Sequence, residues 1–446
     1  MWRNVAATGF AGAFLAMAVT PSPADEQFIP YQVVQLPNGG NLGAFDISFV
    51  DPASRTLAVA ASRVVDSRGP FGTVIMVNTD DNVVTKELVA TPPFAGACSF
   101  PARNTVTGPN GVIIIKDGRE VWAGDGPVLT PAGVAHICNV KTGTPPTPVA
   151  GDIASPSTVK VLDANSGATI ASISTGGTGR ADELCYDPKS HVVLIANDET
   201  FDNFITFINA DTFEVIQKIK FDGTDPNGDK ILANGIEQCI FNPKDGKFWL
   251  NIPNTGAATL AAPLPGVTVS ISGKAPFKVE KVFDFSKAPL NTTGCTGGTG
   301  IALGPDHQLA LSCGLIINDQ TGAPIANFPS EGGADEMWFN PSDNHYFLAD
   351  TAAVHLGVID ATTPSADSTA PTGPGSHSVA ADSVTNEVYV PIRGNQGVAP
   401  PLGAICSTAK DAFGVAGSDT LGCILSYIAP TDSDDHPAKR GKHASR

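Results

Sequence analysis

A pattern that recurs along the chain constrains its fold more than any single motif. The stretch at 332–350 reads GGADEMWFNPSDNHYFLAD. Its acidic opening, apolar run, turn at Asn340-Pro341-Ser342-Asp343 and second apolar run predict two antiparallel strands joined tightly. The outline returns as GRADELCYDPKSHVVLIANDE at 179–199, NGIEQCIFNPKDGKFWLNIP at 234–253 and GSHSVAADSVTNEVYVPIR at 375–393. A unit this short cannot bury both faces of its own sheet, so the units must stack on one another.

With Asn340 as anchor, the equivalent turn positions are Asp51 in FDISFVDPASRTLAVAA, about Lys116 in NGVIIIKDGREVWAG, Asp187, Asn242, Gly304 in TGIALGPDHQLALSC, and Asp382. That makes seven units. A second strand-turn-strand element follows the first hairpin, as in IMVNTDDNVVTKEL, VKVLDANSGATIASI, ITFINADTFEVIQKI, LIINDQTGAPIANF and LGVIDATTPSADS, with VTVSISGKAPFKVEKVF in the fourth unit. Four strands in roughly 40 to 50 residues describe a propeller blade, and seven blades close into a ring. The strand IPYQVVQLP at 29–37 is placed to complete the last blade beside GCILSYIAP at 422–430, which leaves no open sheet edge. The 46 glycines and 36 prolines lie between short Val/Ile/Phe-rich runs, and no long helical periodicity follows residue 30. The expected class is all-β: a seven-bladed β-propeller of four-stranded blades, closed by pairing of the N- and C-terminal strands.

Through degenerate V-x-V-I-D-x-x-T/S-G patterns, the units resemble the repeats of the YVTN-type, YncE-like seven-bladed propellers over roughly residues 29–430. That resemblance implies an exported bacterial protein. It does not select among the activities of related propellers, which include non-catalytic binders, lactonases, lyases and redox subunits. Insertions at 94–101 and 127–156 depart from a compact repeat and are expected as loops on one rim, where ligand contacts tend to lie.

The ends read differently. Residues 1–24 carry Arg3, an apolar run from Val5 to Val19 and the small residues Ser22-Pro23-Ala24, the pattern of an export signal cleaved after Ala24. The apolar run is shorter than a membrane span needs. The expected organisation is a signal peptide at 1–24, a single propeller at 25–430 and a disordered tail at 431–446. The mature protein is expected to be periplasmic or secreted, without membrane insertion, and monomeric. A formal charge of −17 argues against a nucleic-acid partner, because phosphate neutralisation needs a basic face.

Eight cysteines in an exported chain suit a disulfide framework. Proximity pairs Cys98 with Cys138, Cys295 with Cys313 and Cys406 with Cys423. Cys185 and Cys239 stand two and three residues before equivalent turn positions, so they are expected on opposite sheet faces and not as a pair.

In a propeller the innermost strand of each blade lines the central channel. Five positions before each anchor stand Asp46, Gly111, Asp182, Glu237, Thr299, Asp335 and His377. If they face a common axis, like charges so close raise one another's pKa unless a cation or protons intervene. The functional expectation is a divalent metal held by Asp46, Asp182, Glu237, Asp335 and His377. Oxygen-rich coordination places Ca, Mg or Mn ahead of Fe or Zn. Equally, these groups could hydrogen-bond neighbouring blades or water in a hydrated channel. Arg180 and Arg393 are expected to neutralise the mouth or hold an anionic substrate, or else to form inter-blade ion pairs. His136, in the long insertion, could serve as a general base or stay solvated.

No GxSxG, GxxxxGK[ST] or strand-following GxGxxG motif occurs, and no CxxCH haem site. The leading expectation is a metal-dependent lyase or hydrolase, lactonase-like, acting on a small molecule. The alternative is a non-catalytic scaffold whose rim binds a protein or ligand.

Overall fold

The turns expected from the repeat are where the chain reverses. The fourth residue after the anchor is left-handed in five blades: φ is 56° at Arg55, 54° at His191, 68° at Gly246 and 58° at both Asn344 and Asn386. Glycine and asparagine tolerate this conformation best, which is why the turn stretches share a composition without sharing a motif. The computed structural model describes residues 27–429, apart from 97–106, 139–148, 199–202, 257–261, 374 and 395–404. The expected leader and tail lie outside those residues.

Seven antiparallel sheets, here numbered as blades in chain order, carry the alternating apolar pattern. Blade six is representative, with Ala334–Asn340 innermost, then His345–Asp350, His355–Asp360 and Ser365–Pro371 outermost. In blade seven the inner strands Ala380–Ala381, Val388–Arg393 and Gly422–Ile428 are followed by Ile29–Val34, registered Ile29 on Ile428 and Val34 on Ile424. The ring is therefore closed by the two ends of the chain, as expected.

Each blade buries both faces against its neighbours, and seven apolar clusters fill the junctions. Alternate residues of one strand serve different junctions. Met337 and Phe339 pack toward blade five, while Trp338 packs on the opposite face. Trp122, Trp249, Tyr346 and Tyr389 are fully buried in these layers, each worth roughly 2 to 3 kcal/mol of apolar burial.

The two ends of the ring differ. Connections between first and second strands, and between third and fourth, are tight turns such as 341–344 and 361–364. Connections between second and third strands, and between blades, carry the insertions, so the chain leaves the sheets after Leu88, Asp125 and Arg393 at the same face. The insertion in blade two holds a short helix, Pro131–Cys138, with Thr130 Oγ1 capping Gly133 N at 3.0 Å. Among the described residues no helix is long and apolar enough to cross a membrane.

Disulfides join Cys295 to Cys313 and Cys406 to Cys423, as proximity suggested. The pair Cys98–Cys138 lies outside the described residues. Cys185 and Cys239, expected to stay apart, are bonded, with Cα atoms 5.7 Å apart. They do lie on opposite sheet faces, and that is what brings them together. Adjacent blades stack face to face, so a residue on the forward face of blade three meets one on the backward face of blade four, and both cysteines lie in the core between those blades. Three disulfides are consistent with an extracellular or periplasmic location.

Candidate functional site

The inner strands begin irregularly, and this irregularity aims the ring residues. In blade three Ala181 pairs with Asn197 but Leu184 with Ile195, so Asp182 and Glu183 together oppose one residue. Blade six repeats the bulge at Asp335 and Glu336, between Ala334 on Asp350 and Met337 on Leu348. The same two-against-one pattern is built by Asp46 N on Ala60 O with Ala60 N on Ile47 O, and by Glu237 N on Asn251 O with Asn251 N on Gln238 O. A bulge bends the strand and re-aims its side chains. Here it presents the acidic residues at the channel mouth on the insertion-bearing face.

The two uncharged ring positions are explained by close contacts. A Cβ on Gly111 would stand 2.0 Å from the Asp182 carbonyl oxygen, so the neighbouring blade admits only glycine there. Thr299 Oγ1 donates to Ala334 O at 2.7 Å and ties blade five to blade six.

The charged ring residues divide into two groups around one arginine. Arg180, buried at 7% side-chain exposure, reaches Asp182 at 2.8 Å, Asp46 at 2.9 Å, Asp198 at 3.5 Å and Glu237 at 3.8 Å. The cation among these carboxylates is thus supplied by the chain itself. Asp46, Asp335 and His377 form the second group, in which one donor atom from each lies within 4.8 Å of the others. Asp182 and Glu237 stand with Arg180 and outside this trio.

His377 is held in one orientation. Its Nδ1 lies 2.7 Å from the Gly375 carbonyl, which can only accept, so Nδ1 carries the proton and Nε2 faces Asp46 Oδ1 at 3.5 Å. Its ring stacks on Phe45 at 4.8 Å, nearly parallel at 7°. A cavity of about 480 Å³ opens over the trio, lined also by Phe45, Thr107, Asn110, Thr299, Ser312, Thr351 and Arg393.

Electrostatics separate the carboxylates. Burial alone would raise Asp46, but Arg180, His377 and Arg393 outweigh it and hold the group below its ordinary range. Asp182 and Glu237 are pushed well up, first by burial and then by neighbouring carboxylates that one guanidinium cannot neutralise. Asp335 is raised by burial and by Asp46, against the pull of His377 and the two arginines. Burial would lower His377, but Asp46 and Asp335 reverse the sign and raise it.

One residue further along lie Glu183, Gln238 and Glu336, of which Gln238 and Glu336 brace the ring. Gln238 Oε1 accepts from Ile301 N at 2.6 Å and Met337 N at 3.3 Å, across blades four, five and six. Glu336 accepts from Ser48 N, Ser378 Oγ and Val379 N, and burial raises it to about 8.

Arg180 and Arg393 both lie at the mouth. The side chain of His136 is outside the described residues. Sequence reasoning missed Asp198 and Phe45. Asp198 closes the second strand of blade three and has no counterpart at the ring offset, whereas Phe45 immediately precedes Asp46 and was within reach of the same alignment. The other described histidines sit elsewhere on carboxylates: His191 on Asp211, His307 on Asp319, His345 on Asp367 and His355 on Glu331.

No family model matches the chain, and no curated protein matches it in sequence. Solved structures do match. A chain of the mitotic checkpoint complex is 11% identical, with a TM-score of 0.53 over 92% of this chain and 98% of that one. The RRP9 WD40 repeats are 10% identical, with a TM-score of 0.54 over 91% and 99%. U3-55K is 9% identical, with a TM-score of 0.53 over the same shares. At such identities the likeness carries the seven-bladed, WD40-like fold and nothing about activity.

Proposed function

We propose that the mouth of this propeller binds a divalent metal on Asp46, Asp335 and His377, and that the bound ion polarises an oxygen of a small-molecule substrate in a lyase- or hydrolase-type, lactonase-like reaction. One observation carries the reading. His377 donates Nδ1–H to a backbone carbonyl and turns Nε2 to Asp46, and one donor atom each of Asp46, Asp335 and His377 lies within 4.8 Å of the others in the lining of an open cavity. Metal-ligating histidines are oriented by this kind of second hydrogen bond, and three protein donors leave coordination positions for water and substrate. Two carboxylates favour Ca, Mg or Mn, and the imidazole admits Zn or Fe. Arg180 is ion-paired with four carboxylates and acts as a positioning residue that keeps Asp46 ionised. The kinship with exported YVTN-type propellers, and a cleaved leader at 1–24, belong to the same proposal.

Elemental analysis and calorimetric titration of the purified protein with Mn²⁺, Ca²⁺ and Zn²⁺ test it. Stoichiometric binding lost in Asp335→Asn and His377→Ala, with melting temperatures preserved, is the expected result. No binding of any of the three ions would overturn the metal reading. It would favour the alternative of a non-catalytic scaffold that uses its insertion-rich rim to bind a protein or ligand. The observation on that side is Arg180, which already supplies the ring with a cation.

A further inference from the structure

We infer that the mouth cavity takes a small carboxylic acid bearing a second oxygen on the neighbouring carbon, a 2-hydroxy or 2-oxo acid, with its carboxylate on Arg393 and its second oxygen toward Asp46, Asp335 and His377. This rests on the metal reading of those three residues and adds the chemistry of what the metal would meet.

The cavity wall narrows the choice by what it has already spent. Thr299 donates to the Ala334 carbonyl at 2.7 Å, Thr351 to the Ser376 carbonyl at 2.8 Å and Thr107 to Asn110 Oδ1 at 2.8 Å, while Ser312 Oγ accepts from Gly300 N at 2.8 Å. These four hydroxyls are engaged internally, and recognition is assigned to the charged groups.

The two arginines at the mouth differ sharply. Arg180 is spread over four carboxylates. Arg393, the last residue of the second strand of blade seven, makes no ion pair among the described residues; its buried Nε, like that of Arg180, has no hydrogen-bond partner, but no carboxylate stands beside it as Asp198 stands beside Arg180 Nε. It lines the cavity, with its guanidinium carbon 5.7 Å from the Phe45 ring centroid, and feels Asp46 and Asp335 only through space. A buried guanidinium edge without a partner is costly unless an acceptor arrives. The acceptors that fit its planar fork are a carboxylate and a phosphate, of which the carboxylate carries a single charge.

Charge balance favours a singly charged head group, since among the described residues lining the cavity Arg393 is the one cation without an ion pair. A bare anion beside Asp46 and Asp335 would be repelled, so the metal must be present when it binds. Metal and Arg393 flank one small cavity, and a ligand with adjacent oxygens can address both.

The test is calorimetric titration of glycolate, glyoxylate, acetate and inorganic phosphate into the full-length protein, with and without saturating Mn²⁺, for the wild type, Arg393→Met and Arg393→Lys. Mn²⁺ is first titrated alone into each. The expected result is Mn²⁺ binding in all three, with glycolate and glyoxylate binding the wild type only when Mn²⁺ is loaded and acetate far weaker. Arg393→Met should lose at least about tenfold in glycolate affinity, with Arg393→Lys in between. Glycolate binding unchanged in Arg393→Met while Mn²⁺ still binds would overturn this inference and leave the metal reading standing. Acetate or phosphate binding as well as glycolate would do the same. Failure of Mn²⁺ to bind the wild type would overturn both. A circular dichroism melt of each variant separates lost recognition from lost folding, and Arg393→Lys preserves the charge if Arg393→Met unfolds.

Discussion

Replacing Arg180 with methionine isolates the interaction on which the ring geometry depends. The substitution keeps an unbranched apolar stem and removes a guanidinium that stands 2.8 to 3.8 Å from Asp182, Asp46, Asp198 and Glu237. At an effective dielectric of about 20, one unit-charge pair near 4 Å is worth about 4 kcal/mol, but removing the arginine also releases its own desolvation cost. Breaking a buried ion pair by deleting one partner costs about 3 to 5 kcal/mol, and that range is expected at pH 8. The loss should shrink at pH 5. The orphaned carboxylates, already raised by burial and by one another, can then take up protons, each pKa unit being worth about 1.4 kcal/mol. Urea denaturation of wild type and variant at both pH values, with slopes compared, measures this. A loss below about 1 kcal/mol at pH 8, or an equal loss at pH 5, would show that Arg180 is not the counter-ion of the ring. Arg180→Lys should recover only part of the stability, since an ammonium cannot span four carboxylates in a planar fork.

Three further outcomes follow from the same geometry. Glu336 has an ordinary pKa of 4.5 and is raised to about 8 in the fold. The folded state therefore holds a proton between those values that the unfolded chain has lost, and stability declines by up to about 1.4 kcal/mol per pH unit as pH rises from 4.5 through 8. Glu336→Gln, whose amide oxygen can accept the same hydrogen bonds, should flatten part of that decline in a melt-versus-pH series; an unchanged slope would show that Glu336 titrates normally. His377 is raised by Asp46 and Asp335, so a metal must displace its proton. Mn²⁺ affinity should fall by up to about tenfold per pH unit below the folded pKa, and a flat profile from pH 5 to 8 would remove His377 from the ligand set. The double variant Cys185→Ser/Cys239→Ser opens a closure across a separation of 54 residues. It should cost about 4 kcal/mol in chemical denaturation, and a cost under about 1 kcal/mol would mean that apolar packing between blades three and four suffices.

The repeat, the seven units and the closing strand pair were legible because each rests on local chemistry. Period-two apolar runs fit a pleated sheet, and turn residues tolerate left-handed backbone. The inner strands are of similar length from mouth to turn, so counting five residues back from Asn340 or Asp187 reached Asp335 and Asp182 without any knowledge of the ring. That count also placed Asp46 and His377, which meet Asp335 in space. It could not show that Asp182 and Glu237 would turn to Arg180, because their partner depends on how far each bulge rotates its side chain into the channel.

What the chain encodes by itself is the set of blades and the residues at their mouths, since hairpins and alternating burial are governed by neighbours in sequence. Everything that required two blades to be seen together was decided by the closed ring. Cys185 and Cys239 meet because stacked blades present opposite faces to one another. Asp198 joins the mouth because a second strand ends where a first strand begins. Arg180 neutralises the acidic ring while Arg393 is left facing the cavity, a difference between two similar residues that only their distances to carboxylates on other blades could create.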